Sequence, residues 1–82
     1  MIYFLTVVLR GPAAGAEQFF KGAGEILGGG GHLIHFQGDG SAATFVSTAP
    51  FPSDRQQLIQ LAVRLGLTAL AMDATVYTPV AA

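Results

Sequence analysis

The alternation of hydrophobic and polar positions divides the chain into strand-like and helix-like segments. Residues 2–10, IYFLTVVLR, are apolar on both faces, which predicts a central strand. Gly11 and Pro12 end this strand, and the proline is placed where a helix can begin. Hydrophobic residues then recur at the spacing of one helix face. They are Ala16, Phe20, Ala23 and Leu27, with Phe19 and Ile26 at the margins.

The middle of the chain predicts a β-hairpin. Two short strand-like runs, residues 32–37 and 42–48, flank a Gly-Asp-Gly-Ser sequence at 38–41. Glycine and aspartate suit the positive φ angles of a tight turn between antiparallel strands. Residues 28–31 are all glycine, which indicates a helix end followed by a flexible connection into this hairpin.

The last third of the chain predicts one more helix and one more strand. Residues 53–56 have the S-x-x-Q form of a capping box, which opens a helix. Gly66 is the expected terminating residue, and residues 72–80, MDATVYTPV, predict the final strand. The hydrophobic face of the helix consists of Leu58, Leu61, Ala62 and Leu65.

The resulting order, βαββαβ, within a single domain spanning residues 1–82 resembles the ferredoxin-like fold. The resemblance is architectural and rests on no motif. It implies an α+β protein with a four-stranded antiparallel sheet in the order 4-1-3-2 and both helices on one face. The other face of the sheet would then need cover, because both faces of the first strand are apolar. One set is Ile2, Phe4, Thr6 and Val8, and the other is Tyr3, Leu5, Val7 and Leu9.

Composition narrows the classes of function. The formal net charge is −1 and the four Lys and Arg residues are dispersed, which argues against direct binding to nucleic acid. With zero cysteines, the chain has no disulfide and no thiolate metal site or nucleophile. The apolar N-terminal segment is far shorter than a bilayer span, so we expect a cytoplasmic protein with no membrane contact.

The two histidines, His32 and His35, form an H-x-x-H pair that suggests a metal site. On a strand, however, residues i and i+3 point to opposite faces of the sheet. The two rings then diverge and cannot bind one ion. We therefore expect no metal site, with one histidine on the sheet surface and the other beside the helix layer.

No catalytic or cofactor-binding motif is present. The chain lacks the G-x-S-x-G sequence that activates a serine, and it lacks the G-K-[ST] sequence of a phosphate-binding loop. The glycines at 22, 24 and 28 do not have dinucleotide-binding spacing and fall at the end of a helix. These features predict a protein that is not an enzyme and has no cofactor.

The apolar excess and the missing catalytic motifs together predict a protein-binding module. Small proteins of this kind, without a targeting signal, are similar to phage-encoded inhibitors of bacterial defence, the anti-CRISPR proteins. That resemblance implies binding to a subunit of a CRISPR effector complex and occlusion of its surface. We expect the contacts on the exposed hairpin end and the proline loop, where recognition residues are usually found. The candidates are Gln37, Asp39, Phe51, Asp54 and Arg55.

Alternatives remain for the whole protein and for one residue. Two ferredoxin-like sheets packed face to face would form a dimeric α+β barrel enclosing a small-molecule pocket, as in small monooxygenases or isomerases. His35, Tyr3 and Tyr77 would then be the polar pocket groups. A regulatory ligand-binding domain of the ACT type is a third interpretation. Phe51, which lies between two prolines, either packs beneath the second helix or anchors a partner.

Overall fold

The computed structural model describes residues 1–28, 30–51 and 55–78, and over these ranges it contains four strands and two helices. The elements are β1 (Ile2–Arg10), α1 (Ala13–Leu27), β2 (Gly30–His35), β3 (Gly40–Ser47), α2 (Gln56–Arg64) and β4 (Thr68–Tyr77). The strands form one antiparallel sheet in the order β2-β3-β1-β4. The predicted α+β, ferredoxin-like architecture is thus confirmed.

The bounds of three strands differ from the predicted ones. β2 and β3 each begin two positions earlier than predicted, so Gly30 and Gly31, expected in a flexible connection, belong to β2. β1 has the predicted bounds. β4 begins at Thr68, four positions before the predicted start, because Thr68 pairs with Arg10 at the far end of β1. The capping-box residues Ser53 and Asp54, and residues 79–80 of the predicted last strand, lie outside the described residues. α2 begins at Gln56.

The hydrophobic core lies between one face of the sheet and the two helices. Its centre is formed by β1, where Leu5, Val7 and Leu9 are buried at every second position. From α1, Phe19 is completely buried, whereas Phe20, which the sequence placed at the centre of the helix face, is half-buried. The remaining buried hydrophobic residues are Ala16, Ala23, Ala43, Phe45, Leu58, Ala62 and Leu67.

A small residue in α1 allows the two helices to pack closely. Gly22 is unfavourable in a helix interior on propensity alone, by about 1 kcal/mol relative to alanine. A Cβ atom at this position would lie 3.1 Å from Cδ2 of Leu61 on α2. The glycine that weakens α1 locally therefore makes room for a leucine of the neighbouring helix.

Glycine residues follow both helices, as the sequence predicts. Gly28 has φ 69° and donates its backbone N–H to the carbonyl oxygen of Gly24, and Gly66 has φ 76°. Residues that have a Cβ atom disfavour these left-handed backbone conformations, whereas glycine adopts them without a steric penalty. Within the described residues, neither helix has the length and apolar character needed to cross a membrane.

Candidate interaction surfaces

The β2–β3 hairpin carries two of the predicted contact residues, Gln37 and Asp39, and both are exposed. Asp39 Oδ2 lies 3.3 Å from Nε of Arg10 at the end of β1. The Asp39 carbonyl oxygen also accepts a hydrogen bond from the backbone N–H of Gly11, at 2.8 Å. The backbone contact holds the turn against the end of β1, and the carboxylate stays open to solvent.

Replacing Asp39 with asparagine removes the ion pair and leaves the backbone hydrogen bond intact. Ion pairs between exposed side chains contribute less than about 1 kcal/mol, so we expect the free energy of unfolding to fall by no more than that. Urea denaturation followed by circular dichroism measures the change. A loss above about 2 kcal/mol would show that the ion pair is a structural requirement of the hairpin.

Phe51 and Arg55 lie in the proline loop between β3 and α2. Phe51 is half-buried and packs against the core, which agrees with the packing alternative predicted for it. Arg55 is also half-buried, and its Nη1 donates a hydrogen bond to the carbonyl oxygen of Met72 on β4, at 3.0 Å. Asp54, the fifth predicted contact residue, lies outside the described residues.

The four described contact residues do not share one patch. The hairpin turn lies beside Arg10, since Gly40 pairs with that residue. Phe51 instead lines a groove with Tyr3, at the opposite end of β1. The nine residues of β1 make eight steps of about 3.4 Å, so its two ends lie roughly 27 Å apart. The hairpin and the proline loop are therefore two separate surfaces.

A serine, a histidine and a glutamate from three elements lie in a line at the margin of α1. His35 Nδ1 lies 3.0 Å from Oγ of Ser41, and His35 Nε2 lies 3.7 Å from Oε1 of Glu17. Ser41 is only 2% exposed, so its hydroxyl cannot reach a substrate. The His35–Ser41 hydrogen bond links β2 to β3, and the buried hydroxyl is not an accessible nucleophile.

The two histidines diverge as predicted. His32 pairs with Thr44 on the face of the sheet away from the helices, whereas His35 pairs with Ser41 on the helix side. Within residues 1–28, 30–51 and 55–78, no three histidine, aspartate or glutamate side chains form a group that could hold a metal ion.

An apolar groove runs between α2 and β4. Its volume is about 430 Å³, and three large hydrophobic side chains that line it are well exposed. Ile59 is 40% exposed, Val63 68% and Leu70 59%. Ile59 and Val63 are one turn apart on α2, on a different side of the helix from the buried Leu58 and Ala62. We name this surface, formed by Ile59, Val63 and residues 67–72, the α2–β4 groove.

A β-bulge in β4 presents Leu70 to this groove. Val8 pairs with Ala71 and Leu9 pairs with Ala69, so one extra residue lies between the two pairs. Bulges of this kind redirect a side chain at a sheet edge. β4 is such an edge, because in the described chain its only strand neighbour is β1.

The sheet face turned away from both helices is the second apolar surface. Since Leu5, Val7 and Leu9 are buried on the helix side, the intervening side chains of β1 point the other way. No element of the described chain covers this surface, which we name the open face. Its residues are Gly30, His32 and Ile34 of β2; Gly40, Ala42, Thr44 and Val46 of β3; Ile2, Phe4, Thr6, Val8 and Arg10 of β1; and Thr68, Ala71, Asp73, Thr75 and Tyr77 of β4.

One polar row crosses the open face, formed by His32, Thr44, Thr6 and Asp73. Thr6 and Thr44 are cross-strand partners, and their hydroxyl oxygens lie 3.4 Å apart. His32 pairs with Thr44 from one edge, and Asp73 pairs with Thr6 from the other. The row thus has an imidazole at one end and a carboxylate at the other. Three strand spacings of about 4.8 Å separate them, which is too far for contact within one chain.

The rows on either side of the polar row are mostly apolar. One row consists of Gly30, Val46, Phe4 and Thr75, and the other consists of Ile34, Ala42, Val8 and Ala71. Of the three pocket residues predicted for a barrel interior, Tyr77 lies on the open face. Tyr3 and His35 lie on the helix side, because they alternate with open-face neighbours along their strands. They would not line a pocket between two open faces.

The sequence interpretation missed the groove and the polar row for different reasons. Ile59 and Val63 have a usable signal, since their i, i+4 spacing forms a second apolar stripe on α2. The polar row has no local signal, because its four residues come from four different strands. Comparison with protein-family models, with curated proteins and with solved structures finds no match to this chain.

Proposed function

We propose that the protein is a non-catalytic protein-binding module that takes an extended apolar segment of its partner along β4 and into the α2–β4 groove. The observation that carries this proposal is the exposure of Ile59, Val63 and Leu70 around one groove beside an edge strand. Clustered apolar exposure of this kind marks sites of protein association.

The edge of β4 supports an extended partner segment. Edge strands are normally protected by charged residues, prolines or short length, since their outer backbone groups can pair with another chain. β4 has ten residues, TALAMDATVY, and a single charged side chain, Asp73. A partner strand added here would gain backbone hydrogen bonds, and the groove would select its apolar side chains.

In its more specific form, the proposal names the partner as a subunit of a bacterial defence complex, with a CRISPR effector as the leading candidate. Support for this form comes from the resemblance to phage-encoded inhibitors that the sequence suggests. Binding an extended segment of an effector subunit along β4 would block the assembly of the complex or its access to target DNA.

The variant Val63→Asp tests the binding surface. Val63 is exposed but lies in the last turn of α2, where a negative charge opposes the helix dipole, so we expect the free energy of unfolding to fall by no more than about 1 kcal/mol. A charge in an apolar contact should weaken partner binding by about 30-fold or more, the effect of a typical hot-spot residue. The measurement is quantitative capture from lysate of a bacterium carrying CRISPR systems, followed by titration of the purified partner against each variant.

Two matched variants complete the experiment. Gln18→Asp adds the same charge to an exposed position of α1 and should bind like the unmodified protein. The pair Asp39→Lys and Phe51→Ala alters the hairpin and the proline loop and should also bind normally. If that pair loses the partner and Val63→Asp retains it, recognition occurs on the loops. If the unmodified chain retains no protein, the binding-module proposal fails.

The inhibitor form has its own test. Expression of the chain in cells that target a phage by CRISPR should restore plaque formation, and expression of the Val63→Asp variant should not. Unchanged plaque counts with the unmodified chain would contradict inhibition of that CRISPR system while leaving the binding result intact.

A further inference from the structure

We propose that the open face binds a second copy of the same chain, with a two-fold axis between the two sheets and parallel to β1. The inference rests on the pattern of side chains across the open face and is independent of the α2–β4 groove. It accounts for the apolar surface that the described chain leaves uncovered.

The polar row fits this arrangement. A two-fold axis parallel to the strands places β2 of one copy against β4 of the other, and β3 against β1. His32 then faces Asp73 of the second copy, and the same pair recurs on the other side of the axis. Thr44 faces Thr6 of the second copy at the centre. Stacked sheets lie about 10 Å apart, a gap that an imidazole and a carboxylate side chain span together.

Charge selects this axis over the alternative. A two-fold axis perpendicular to the strands would also superimpose the polar row on itself, but it would place Asp73 against Asp73 and His32 against His32. Two opposed carboxylates weaken association, and the Asp73 pair of this alternative would be such an opposition. The strand-parallel axis brings each acidic residue to a hydrogen-bond donor instead.

Side-chain sizes in the flanking rows agree with the same axis. In one row, Ile34 faces Ala71 of the second copy and Ala42 faces Val8. In the other row, Gly30 faces Thr75 and Val46 faces Phe4. Three of these four pairs place glycine or alanine opposite a larger residue, which keeps the gap between the sheets even. Packed interiors require this kind of complementarity.

The open face is large enough for a small stable interface. Four strands about 4.8 Å apart and roughly 25 Å long cover about 500 Å² of plane per copy. The accessible area of a corrugated surface is greater than its plane area. A biological interface should bury about 1,000 Å² or more in total, which is about 500 Å² per partner, so the face reaches the size that association needs.

Charge reversal at the ends of the polar row tests the dimer and its axis. The mass of the unmodified protein in solution, measured by analytical ultracentrifugation at micromolar concentration, should be that of a dimer. His32→Glu places two acidic residues opposite each other, and Asp73→Lys places a lysine opposite a histidine. We expect each change to raise the dimer dissociation constant by about tenfold or more. In the double variant, the glutamate of one copy lies opposite the lysine of the other, so the dimer dissociation constant should return most of the way to that of the unmodified protein.

Both substitutions fall at exposed positions on edge strands, so circular dichroism should show unchanged folding. Gln18→Glu, on the outer side of α1, is the control and should leave the dissociation constant unchanged. A monomeric unmodified protein overturns the proposal. A dimer that both single variants leave intact uses another surface, such as β4 edge pairing, and overturns it too. A double variant no tighter than the single ones contradicts the strand-parallel axis.

Discussion

Substituting alanine for Phe45 is expected to lower the free energy of unfolding by about 3–5 kcal/mol, the range measured for buried phenylalanines. Phe45 is completely buried at the centre of β3, paired with Leu5 on one side and Gly31 on the other. Its ring stacks on Phe20 of α1, with 5.4 Å between the ring centroids. Removing it leaves a cavity where the sheet meets the first helix.

A loss of this size is a large part of the total free energy of unfolding. Domains are stabilised by roughly 0.05–0.15 kcal/mol per residue, or about 4–12 kcal/mol for a chain of this length. In a domain of this size each kcal/mol shifts the melting temperature by about 4–8 °C. Thermal and urea denaturation followed by circular dichroism measure the change.

Phe36→Ala provides the matched control, because it removes the same side chain from a position that is 54% exposed. We expect the free energy of unfolding of this variant to fall by less than about 1 kcal/mol. Equal losses from the two substitutions would contradict the location of the core on the helix side of β3.

Substituting alanine for Gly31 should lower the free energy of unfolding by about 1–3 kcal/mol, the usual effect of inserting a methyl group where there is no space for it. A Cβ atom at this position would meet the backbone carbonyl oxygen of Thr44 and lie 3.0 Å from the Cα atom of Phe45. Neither backbone atom can rotate away, so β2 must separate from β3 at this point. Hydrogen exchange of the β2 amides and the urea midpoint should both report the change.

The neighbouring glycine gives a direct comparison. A Cβ atom at Gly30 would meet open space, and its φ angle is not positive. Gly30→Ala should therefore leave the free energy of unfolding unchanged or raise it by up to about 1 kcal/mol, because alanine has fewer accessible conformations than glycine in the unfolded chain. If both alanine variants lose the same stability, glycine is needed for the conformation of the whole segment and not for the close approach at Gly31.

Much of the fold could be predicted because its signals are local. The bounds of β1 follow from nine consecutive strand-favouring residues ended by Gly11 and Pro12. The hairpin follows from its glycine-containing turn. The burial of Phe19 was harder to predict, because two adjacent aromatic residues both fit the helix face. Both rings belong to the core, but only Phe19 is fully buried, whereas Phe20 stacks on Phe45 and stays half-buried.

The candidate surfaces were less predictable than the fold. The divergence of His32 and His35 follows from strand geometry alone, so the sequence was sufficient for it. Exposed loops suggested one contact patch, but the structure places Asp39 and Phe51 at opposite ends of β1. The exposure of Leu70 depends on a bulge, which arises from the pairing of β4 with β1 and has no signature in the residues themselves.

By itself, the amino-acid sequence determined the order of elements, the α+β class and the apolar character of both faces of β1. These properties depend on interactions between residues close in the chain, or on the two-residue repeat of a strand. The tertiary structure alone decided which face of β1 is left open and which residues share a row across it. Register arises from hydrogen bonds between strands far apart in sequence, as when Thr6 meets Thr44 and Asp73.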